Sequence, residues 1–525
     1  MKTRSKYRGE KGAPVSGTPV LLAILVFAAF LRFFELTTVP HGIQVDEAMN
    51  GANILEIHET GRFRIFYPEN NGREGLFINL QALASSLLGD EPWALRAVSA
   101  AFGVATVWTT YLLATELFSP WIGLAAAFFT AASYWHLMLS RLGTRAVSAP
   151  FFLTLTLYLL LLGFRRLRRS ESATAIMLLA GVIGGLGFHT YTAYRVSPAL
   201  YGLILTYYFI EARRRGWLSR FGKACGLFVG TALVVVVPLA LYFIHHPAAV
   251  AGRTSQVMVF NRSANPALEI LANTWKTAQM FFFEGDHNWR HNYDARREVF
   301  WPVAILLALG IAVAAASVLH ALRKRGDPDR REAFACALLL AWIAVAALPG
   351  ILSGEGVPHA LRCSLMIPAI FTLAAIGASG VWESFSTMPN AARLAMAAVM
   401  LLLVAWDPYH TYFELWAPRP EVAGNFSDKL MELADRFNRA PRSVPKYVAV
   451  TSTGVSANGI PVLLMPFTYA TRSYTARQQA ETNIHYLMPE NFRLAPGVNP
   501  AGKSFCRAVQ ESMPGASVTC VNLRY

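Results

Sequence analysis

The sequence predicts a mainly α-helical protein that crosses a membrane many times. Of its 525 residues, 54% are hydrophobic and only 15% are charged, whereas soluble domains carry about 25% charged residues. Apolar runs of about 20 residues recur along the chain, and such a run crosses a bilayer as a helix because a helix satisfies its own backbone hydrogen bonds. Lys and Arg also collect in alternate loops between these runs, as they do in multi-spanning membrane proteins.

About eleven segments are long and apolar enough to be predicted as spans. The first follows the basic head MKTRSKYRGEKG, which is similar to the start of a signal peptide, but FLRFFELTTVPHG offers no small-residue cleavage site. We therefore predict a retained first helix. The predicted spans are residues 18–36, 93–118, 121–138, 148–164, 174–190, 193–210, 222–244, 299–321, 333–351, 362–381 and 391–406.

The basic loops predict how the chain is oriented. The N-terminus and residues 164–170, 211–223 and 323–332 are rich in Lys and Arg and fall on alternate loops, which places them in the cytoplasm of an inner-membrane protein. This rule accounts for most of the net charge of +15, so the charge does not indicate nucleic-acid binding. The exported side then receives residues 37–92, 139–147, 191–192, 245–298, 352–361 and the tail after 406.

Three parts follow from this topology: a cytoplasmic N-terminus (1–17), a membrane body (18–406) with external loops 37–92 and 245–298, and an exported soluble domain (407–525). In the last part, NFSDKLMELADRFNRA (425–440) has helical spacing with Asn425 as N-cap, and KYVAVTS (446–452) has the pattern of a strand. A small α/β domain is expected, and nothing in it looks catalytic. An exported compartment permits a disulfide between Cys506 and Cys520, but the sequence does not decide whether it forms.

Two carboxylates stand side by side in GIQVDEAMNGANILE (42–56), directly after the first predicted span. One interpretation is structural, because Asp is a favoured N-cap and acidic groups suit the first turn of a helix beginning near Glu47. The other is that Asp46 and Glu47 transfer protons at the membrane surface. Later in the same loop, EGLFINLQALASSLLG (74–89) is too short to span comfortably and predicts a helix at the membrane interface.

Basic and aromatic residues at the external ends of several spans favour the chemical interpretation. The positive-inside rule does not require arginine on this face. Each arginine taken alone is equally explained by contact with lipid headgroups, but several of them together with tyrosine and histidine indicate an anion site, since guanidinium groups match phosphate oxygens. The predicted donor-phosphate or substrate residues are Arg73, Glu74, Arg141, Arg145, Tyr191, Tyr194, Arg195, Arg253, His359 and Arg362.

The loop FFFEGDHNWRHNYDARREVF (281–300) concentrates further polar groups. Glu284, Asp286, His287 and His291 are residue types that hold divalent ions, but no regular helical spacing aligns them. We predict that Asp286, His291 and Asn292 form a hydrogen-bonded rim or contact the acceptor, and we assign no metal ligands. The sequence requires no cofactor, and a divalent metal is left open.

A carboxylate and an arginine cluster at one membrane face suggest a specific reaction. The carboxylate takes a proton from an acceptor hydroxyl or amine, while cations stabilise a departing phosphate. A lipid-linked phosphosugar is a donor that resides at this boundary.

Several segments resemble a known family. They are VDEAMNGANIL, GREGLFINLQALASSLLG with WALRAVSAAFGVATVWTTYLLATELF, SRLGTRAVSAPFF, GLGFHTYTAYRVSP, GDHNWRHN and PHALRCSLMIP, within residues 20–380. They resemble the GT-C superfamily of polyprenyl-phosphate-dependent glycosyltransferases, especially bacterial members of glycosyltransferase family 39. These are relatives of protein O-mannosyltransferases and of the enzyme that adds aminoarabinose to lipid A.

The resemblance implies a GT-C fold with a cavity opening to the exported side. It also implies that Asp46 is the general base and that Glu47 supports it or positions substrate, in an inverting transfer of a hexose such as mannose. The acceptor, whether protein, glycan or lipid, does not carry over. The chain lacks the lumenal modules of the eukaryotic-type enzymes, and it has NGREGLF where the aminoarabinose enzyme has an EKP element.

Two other classes of function stay open. A transporter or flippase of a lipid-linked sugar would also need many spans and cationic groups, but internal repeats and charged or broken helices at mid-membrane are expected there. A non-catalytic scaffold of a cell-envelope assembly would tolerate Asp46→Asn, whereas the glycosyltransferase would not.

Overall fold

The computed structural model describes residues 17–249, 257–323, 330–452, 454–496, 498 and 504–523. These residues form two compact units. The membrane unit comprises the chain up to Leu36 together with Arg96–Pro418, and the second unit comprises Thr37–Leu95 and the chain from Arg419 onwards. Most of the predicted cytoplasmic N-terminus and Arg253 lie outside the described residues.

Long apolar helices build the membrane unit, as the eleven predicted segments require. A helix occupies each predicted position. The helices are α1 (Gly17–Phe33), α4 (Pro92–Leu117, which crosses the unit boundary), α5 (Pro120–Ala131), α6 (Tyr134–Ser140), α7 (Ser148–Arg168), α8 (Thr174–Gly187), α9 (Ser197–Arg215), α10 (Leu218–His245), α11 (Val259–Arg262), α12 (Pro266–Gln279), α13 (Trp301–Arg323), α14 (Arg331–Ile351), α15 (Ile367–Ser384) and α16 (Asn390–Tyr409).

Fewer of these helices meet a strict test of length and mean hydropathy for a membrane span than the eleven segments predicted from the sequence. In the described part of the chain, seven are long and apolar enough, and the bent pair α5 and α6 makes an eighth. Helices α1 and α8 are apolar but shorter, while the last turn of α9 carries Arg213, Arg214 and Arg215. By this criterion the span count is approximate, and the multi-pass membrane architecture is confirmed.

The bend of 62° between α5 and α6 has an identifiable chemical basis. Ser133 caps α6 by accepting the N–H of His136 at 3.1 Å, so the helix starts afresh. The carbonyls freed at the end of α5 receive hydrogen bonds from the buried guanidinium of Arg32, at 3.4 Å from Thr130 and 3.2 Å from Ala131. A broken helix persists in a membrane where other groups satisfy its backbone, and Arg32 does so here.

Small residues allow two helices of the membrane unit to pack in close contact. A Cβ atom added to Gly310 of α13 would lie 1.8 Å from the carbonyl oxygen of Leu373, and one added to Gly377 of α15 would lie 1.9 Å from that of Leu306. Such glycines let helix backbones approach where lipid provides no hydrophobic driving force. The α13 and α15 pair therefore depends on the absence of side chains at these positions.

The second unit combines the loop that follows α1 with the C-terminal part of the chain. The loop contributes α2 (Val45–Thr60), the paired strands β1 (Phe66–Tyr67) and β2 (Arg73–Glu74), and α3 (Gly75–Leu88). The tail contributes α17 (Pro420–Asn425), α18 (Asp428–Arg439), β3 (Lys446–Ser452), β4 (Ser456–Ala457), β5 (Ile460–Pro461), α19 (Met465–Ala470), α20 (Ala476–Thr482), β6 (Ile484–Leu487), α21 (Phe505–Ser512) and β7 (Val518–Leu523).

A single hydrophobic core explains why the loop groups with the tail. Ala48 and Ala52 of α2 are buried together with Val448 of β3 and Phe467 of α19. The sequence assigned residues 37–92 to the membrane body and began the soluble domain at 407. The contacts instead group residues 37–95 with the chain from Arg419, because the apolar side of α2 packs against the tail.

The tail is an α/β structure, as predicted. Strand β3 occupies the predicted residues 446–452 and pairs in parallel with β6 on one side and β7 on the other. The N-cap prediction for Asn425 is wrong. Asn425 ends the short helix α17 and donates its side-chain amide to the Glu421 carbonyl at 2.8 Å, and Ser427 precedes α18.

Cys506 of α21 and Cys520 of β7 form a disulfide with a Cα separation of 5.8 Å. Closing a loop of about 15 residues restricts the unfolded chain and contributes about 3 kcal/mol. We expect the Cys506→Ser/Cys520→Ser double variant to lower the unfolding temperature of the second unit, measured by limited proteolysis across a temperature series. Cys225→Ser, which removes a free thiol, is the matched control; an equal loss in both variants would contradict the expectation.

Candidate functional site

The N-terminus of α2 positions the predicted catalytic pair. Gln44 is the N-cap residue, and its side-chain oxygen accepts the backbone N–H groups of Asp46 at 2.8 Å and Glu47 at 3.1 Å. Glu47 returns the interaction by accepting the N–H of Gln44 at 3.0 Å. This is a capping box, which satisfies backbone donors that the first turn leaves without helical partners. The structural interpretation thus accounts for one contact of Glu47, which is only 1% exposed.

Asp46 is held differently. Its side chain is partly exposed, and its two carboxylate oxygens accept amide donors, Asn70 at 2.6 Å and Gln44 at 3.0 Å. Amide donors and the positive end of a helix both stabilise negative charge. Asp46 is therefore a positioned carboxylate with access to solvent, whereas Glu47 is buried beneath it.

Arg73 and Glu74 lie in the same unit as the acidic pair. Arg73 is 2% exposed, and its guanidinium donates to the side-chain oxygens of Asn50 and Asn53 on α2. Asn50 follows Asp46 by one helical turn, so Arg73 places positive charge along the helix that carries the carboxylate. Glu74, 1% exposed, precedes the first residue of α3.

The arginines of the membrane unit have local partners. Arg141 is fully buried and caps the end of α1, donating to the carbonyls of Leu31 at 3.0 Å, Arg32 at 3.1 Å and Phe34 at 2.7 Å. Arg362 donates to the Ser353 hydroxyl, and to the Glu355 carbonyl at 2.7 Å. Helix capping and this neighbouring loop account for both side chains without a phosphate, so their assignment to the donor stays a prediction.

Aromatic contacts engage the remaining predicted residues of this region. The guanidinium of Arg145 lies 5.6 Å from the centre of the Tyr191 ring. Arg195 instead lies over Phe243 at 5.4 Å, and Tyr194 shares a 2.6 Å hydrogen bond with Tyr201.

His359, another predicted substrate residue, lies close to Asp286 and His291 of the loop 281–300. Asp286 Oδ2 lies 3.3 Å from His291 Nδ1 and 3.6 Å from His359 Nδ1, and the two imidazole rings are 5.0 Å apart. Asn292 braces the same loop by donating to the Asp286 carbonyl at 3.0 Å. Glu284 and His287, also considered as ligands, form a separate exposed pair at 3.0 Å.

The charges of this cluster follow from its surroundings. Burial would raise the pKa of Asp286, but hydrogen bonds from His291 and from the N–H of Asn288 outweigh burial and bring the pKa down to about 2. Burial lowers the pKa of His359 well below its usual value. At neutral pH, Asp286 is therefore ionised and the imidazole of His359 is neutral.

Sequence reasoning missed the partners of Asp46 and one partner of Asp286. Gln44 stands three positions before Glu47, but capping boxes usually begin with Ser or Thr, so the pattern was not conspicuous. Asn70 is 24 positions from Asp46 and carries no local signal. Glu298, which accepts the N–H of Asp286 at 3.0 Å, was likewise recognisable only from the folded chain.

The sequence and the fold were compared with those of known proteins. Residues 76–242, less than half of the chain, match the family model described as dolichyl-phosphate-mannose-protein mannosyltransferase. A comparison with curated protein sequences found no match. Among solved structures, ArnT from Cupriavidus metallidurans bound to undecaprenyl phosphate is similar, with a TM-score of 0.54 and 15% identity over 97% of this chain and 90% of that one.

The oligosaccharyltransferase of Archaeoglobus fulgidus, tethered with an acceptor peptide, is also similar, with a TM-score of 0.50 and 16% identity over 87% of this chain. The chain has the GT-C fold. It spans 63% of the length of the archaeal enzyme. The similarity to these structures shows the fold, and the family model matches residues 76–242 within it.

Proposed function

We propose that this GT-C protein transfers a hexose from a polyprenyl-phosphate-linked sugar to an acceptor at the exported face of the membrane, with inversion. The observation that carries the proposal is Asp46. It is a partly exposed carboxylate, held by two amides at the start of α2, in a chain whose fold and family match are those of lipid-linked-sugar transferases.

Asp46 acts as the general base in this mechanism. Its carboxylate takes the proton of the acceptor hydroxyl as the acceptor oxygen forms a bond to the anomeric carbon of the donor. The bond between that carbon and the phosphate oxygen breaks on the opposite face, and polyprenyl phosphate leaves. Gln44 and Asn70 orient the carboxylate, which matters because proton transfer requires a hydrogen-bond distance of about 3 Å.

The leaving phosphate gains negative charge and needs stabilisation. Arg73 is a predicted cation in the same unit as Asp46; like Arg141 it is buried with local partners, Asn50 and Asn53, so its role at the phosphate is part of the proposal. Arg145 and Arg195 remain further candidates for the donor phosphate, with Tyr191 beside Arg145. The structure of the similar protein ArnT with bound undecaprenyl phosphate supports a lipid phosphate as the leaving group in this proposal.

A transfer assay with a panel of donors tests the proposal. Membranes containing the protein are incubated with radiolabelled hexoses on polyprenyl phosphate, and labelled products are separated into protein, glycan and lipid fractions. A product that depends on the protein is expected in one fraction, and that fraction identifies the acceptor class. A wild-type protein inactive with every donor would overturn the proposal and favour the transporter or the scaffold.

A further inference from the structure

Two external segments of the membrane unit meet at the Asp286 cluster. Asp286 and His291 come from the loop before α13, and His359 comes from the segment between α14 and α15. Each offers one ligand atom, and the three atoms lie within 4.8 Å of one another. We propose that Asp286, His291 and His359 bind one divalent transition-metal ion, for which Zn²⁺ is the best chemical match.

Two separations in this cluster are compatible with coordination of one metal ion. Around a tetrahedral zinc ion with bonds of about 2.0–2.2 Å, neighbouring ligand atoms lie roughly 3.3–3.5 Å apart. The carboxylate oxygen of Asp286 is 3.3 Å from one imidazole nitrogen and 3.6 Å from the other. A small shift of His359 would place both nitrogens at tetrahedral separations from the same oxygen.

The Nδ1 atom of His359 also supports a metal site. Among the described residues, no hydrogen-bond partner reaches the buried Nδ1 of His359, although its side chain is only 14% exposed. An unpaired buried nitrogen is costly, and coordination would satisfy it. Two imidazoles and one carboxylate are ligands that suit zinc and leave a fourth position open.

The ligands are held in place by the surrounding backbone, as metal sites require. Asp286 Oδ1 accepts the N–H of Asn288 at 2.8 Å, and Oδ2 accepts that of Ala360 at 2.9 Å. Trp135 of α6 donates to the carbonyl of Ala360 at 3.1 Å. The segment that carries His359 is therefore anchored before any ion arrives, and the ion would join the two external segments.

Metal content of the purified full-length protein tests this proposal without any donor sugar. The protein is expressed in zinc-supplemented medium, dialysed and measured by elemental mass spectrometry. About one equivalent of zinc per chain is expected in the wild type. In His291→Ala or His359→Ala the retained zinc should fall by at least about tenfold, since loss of a ligand removes a large part of the affinity.

His287→Ala is the matched control, because His287 lies in the same loop but pairs with Glu284 at the surface. It should retain zinc as the wild type does. Equal zinc loss in His287→Ala, or a wild-type protein that neither retains zinc nor binds it saturably after chelation, would overturn the proposal and leave a hydrogen-bonded cluster.

A spectroscopic measurement covers the case in which the alanine variants fail to fold. Chelator-treated wild type is titrated with Co²⁺, whose visible absorption is intense in a tetrahedral site and weak in an octahedral one. A saturable intense spectrum that Zn²⁺ abolishes is expected. A weak spectrum identical to that of aqueous Co²⁺ would contradict the site, whether or not the protein transfers sugar.

Discussion

Asp46→Asn is expected to lower sugar transfer by about 10²–10⁴-fold, the range by which a positioned general base accelerates a reaction. Asparagine has nearly the same shape but cannot accept the proton of the acceptor. The measurement is the initial rate of labelled product formation at matched protein levels, in membranes containing the wild type or the variant. Unchanged gel-filtration behaviour would show that the protein remains folded.

Two variants separate chemistry from folding. Glu47→Gln keeps a side-chain acceptor at the third helical position, where glutamine also completes a capping box, so we expect a much smaller loss than in Asp46→Asn. Glu481→Gln removes a surface carboxylate paired with Arg477 and should leave the rate unchanged. A Glu47→Gln variant as inactive as Asp46→Asn would contradict the assignment of the base to Asp46 alone.

Gly377→Leu is expected to destabilise the membrane unit by about 3 kcal/mol or more, because overpacking forces neighbouring backbone apart. Even a single Cβ at this position would lie 1.9 Å from the carbonyl oxygen of Leu306, and the opposing atom belongs to backbone that cannot rotate away. Thermal unfolding of the purified protein in detergent, followed by the loss of monodisperse elution, measures the effect.

Gly380→Leu is the control for helix propensity and added volume. Gly380 lies in the same helix, three residues later, and a Cβ there meets nothing within 4 Å. We expect an unfolding temperature close to that of the wild type. If both substitutions lowered stability equally, the contact between α13 and α15 would not be the cause.

Elements with strong local patterns were predictable from the sequence. All eleven apolar segments are helical, and strand β3 occupies the predicted residues 446–452. Both predictions rest on the spacing of apolar residues and on the length of the segment, which are local properties of the sequence. The Asn425 N-cap was wrong because a second short helix precedes α18, and the pattern of a long helix concealed the break.

The candidate site was only partly predictable. The acidic pair stands out because two adjacent carboxylates follow an apolar span, and the helix that begins beside them is a local feature. The partners of Asp46 and Arg73 are harder to predict from the sequence, because Asn70 is 24 residues from Asp46 and Asn53 is 20 residues from Arg73. Such pairs depend on how β1 and β2 return the chain towards α2.

The sequence by itself determined the membrane class, the positions of the helices and the place of Asp46 after the first of them. Each follows from local composition, because a helix in lipid satisfies its hydrogen bonds within its own segment. Only the tertiary structure decided that the loop after α1 shares a core with the tail, that Arg141 caps α1, and that His359 joins Asp286. These contacts join residues distant in the chain, and packing, hydrogen bonds and charge pairs that form only in the folded protein select them.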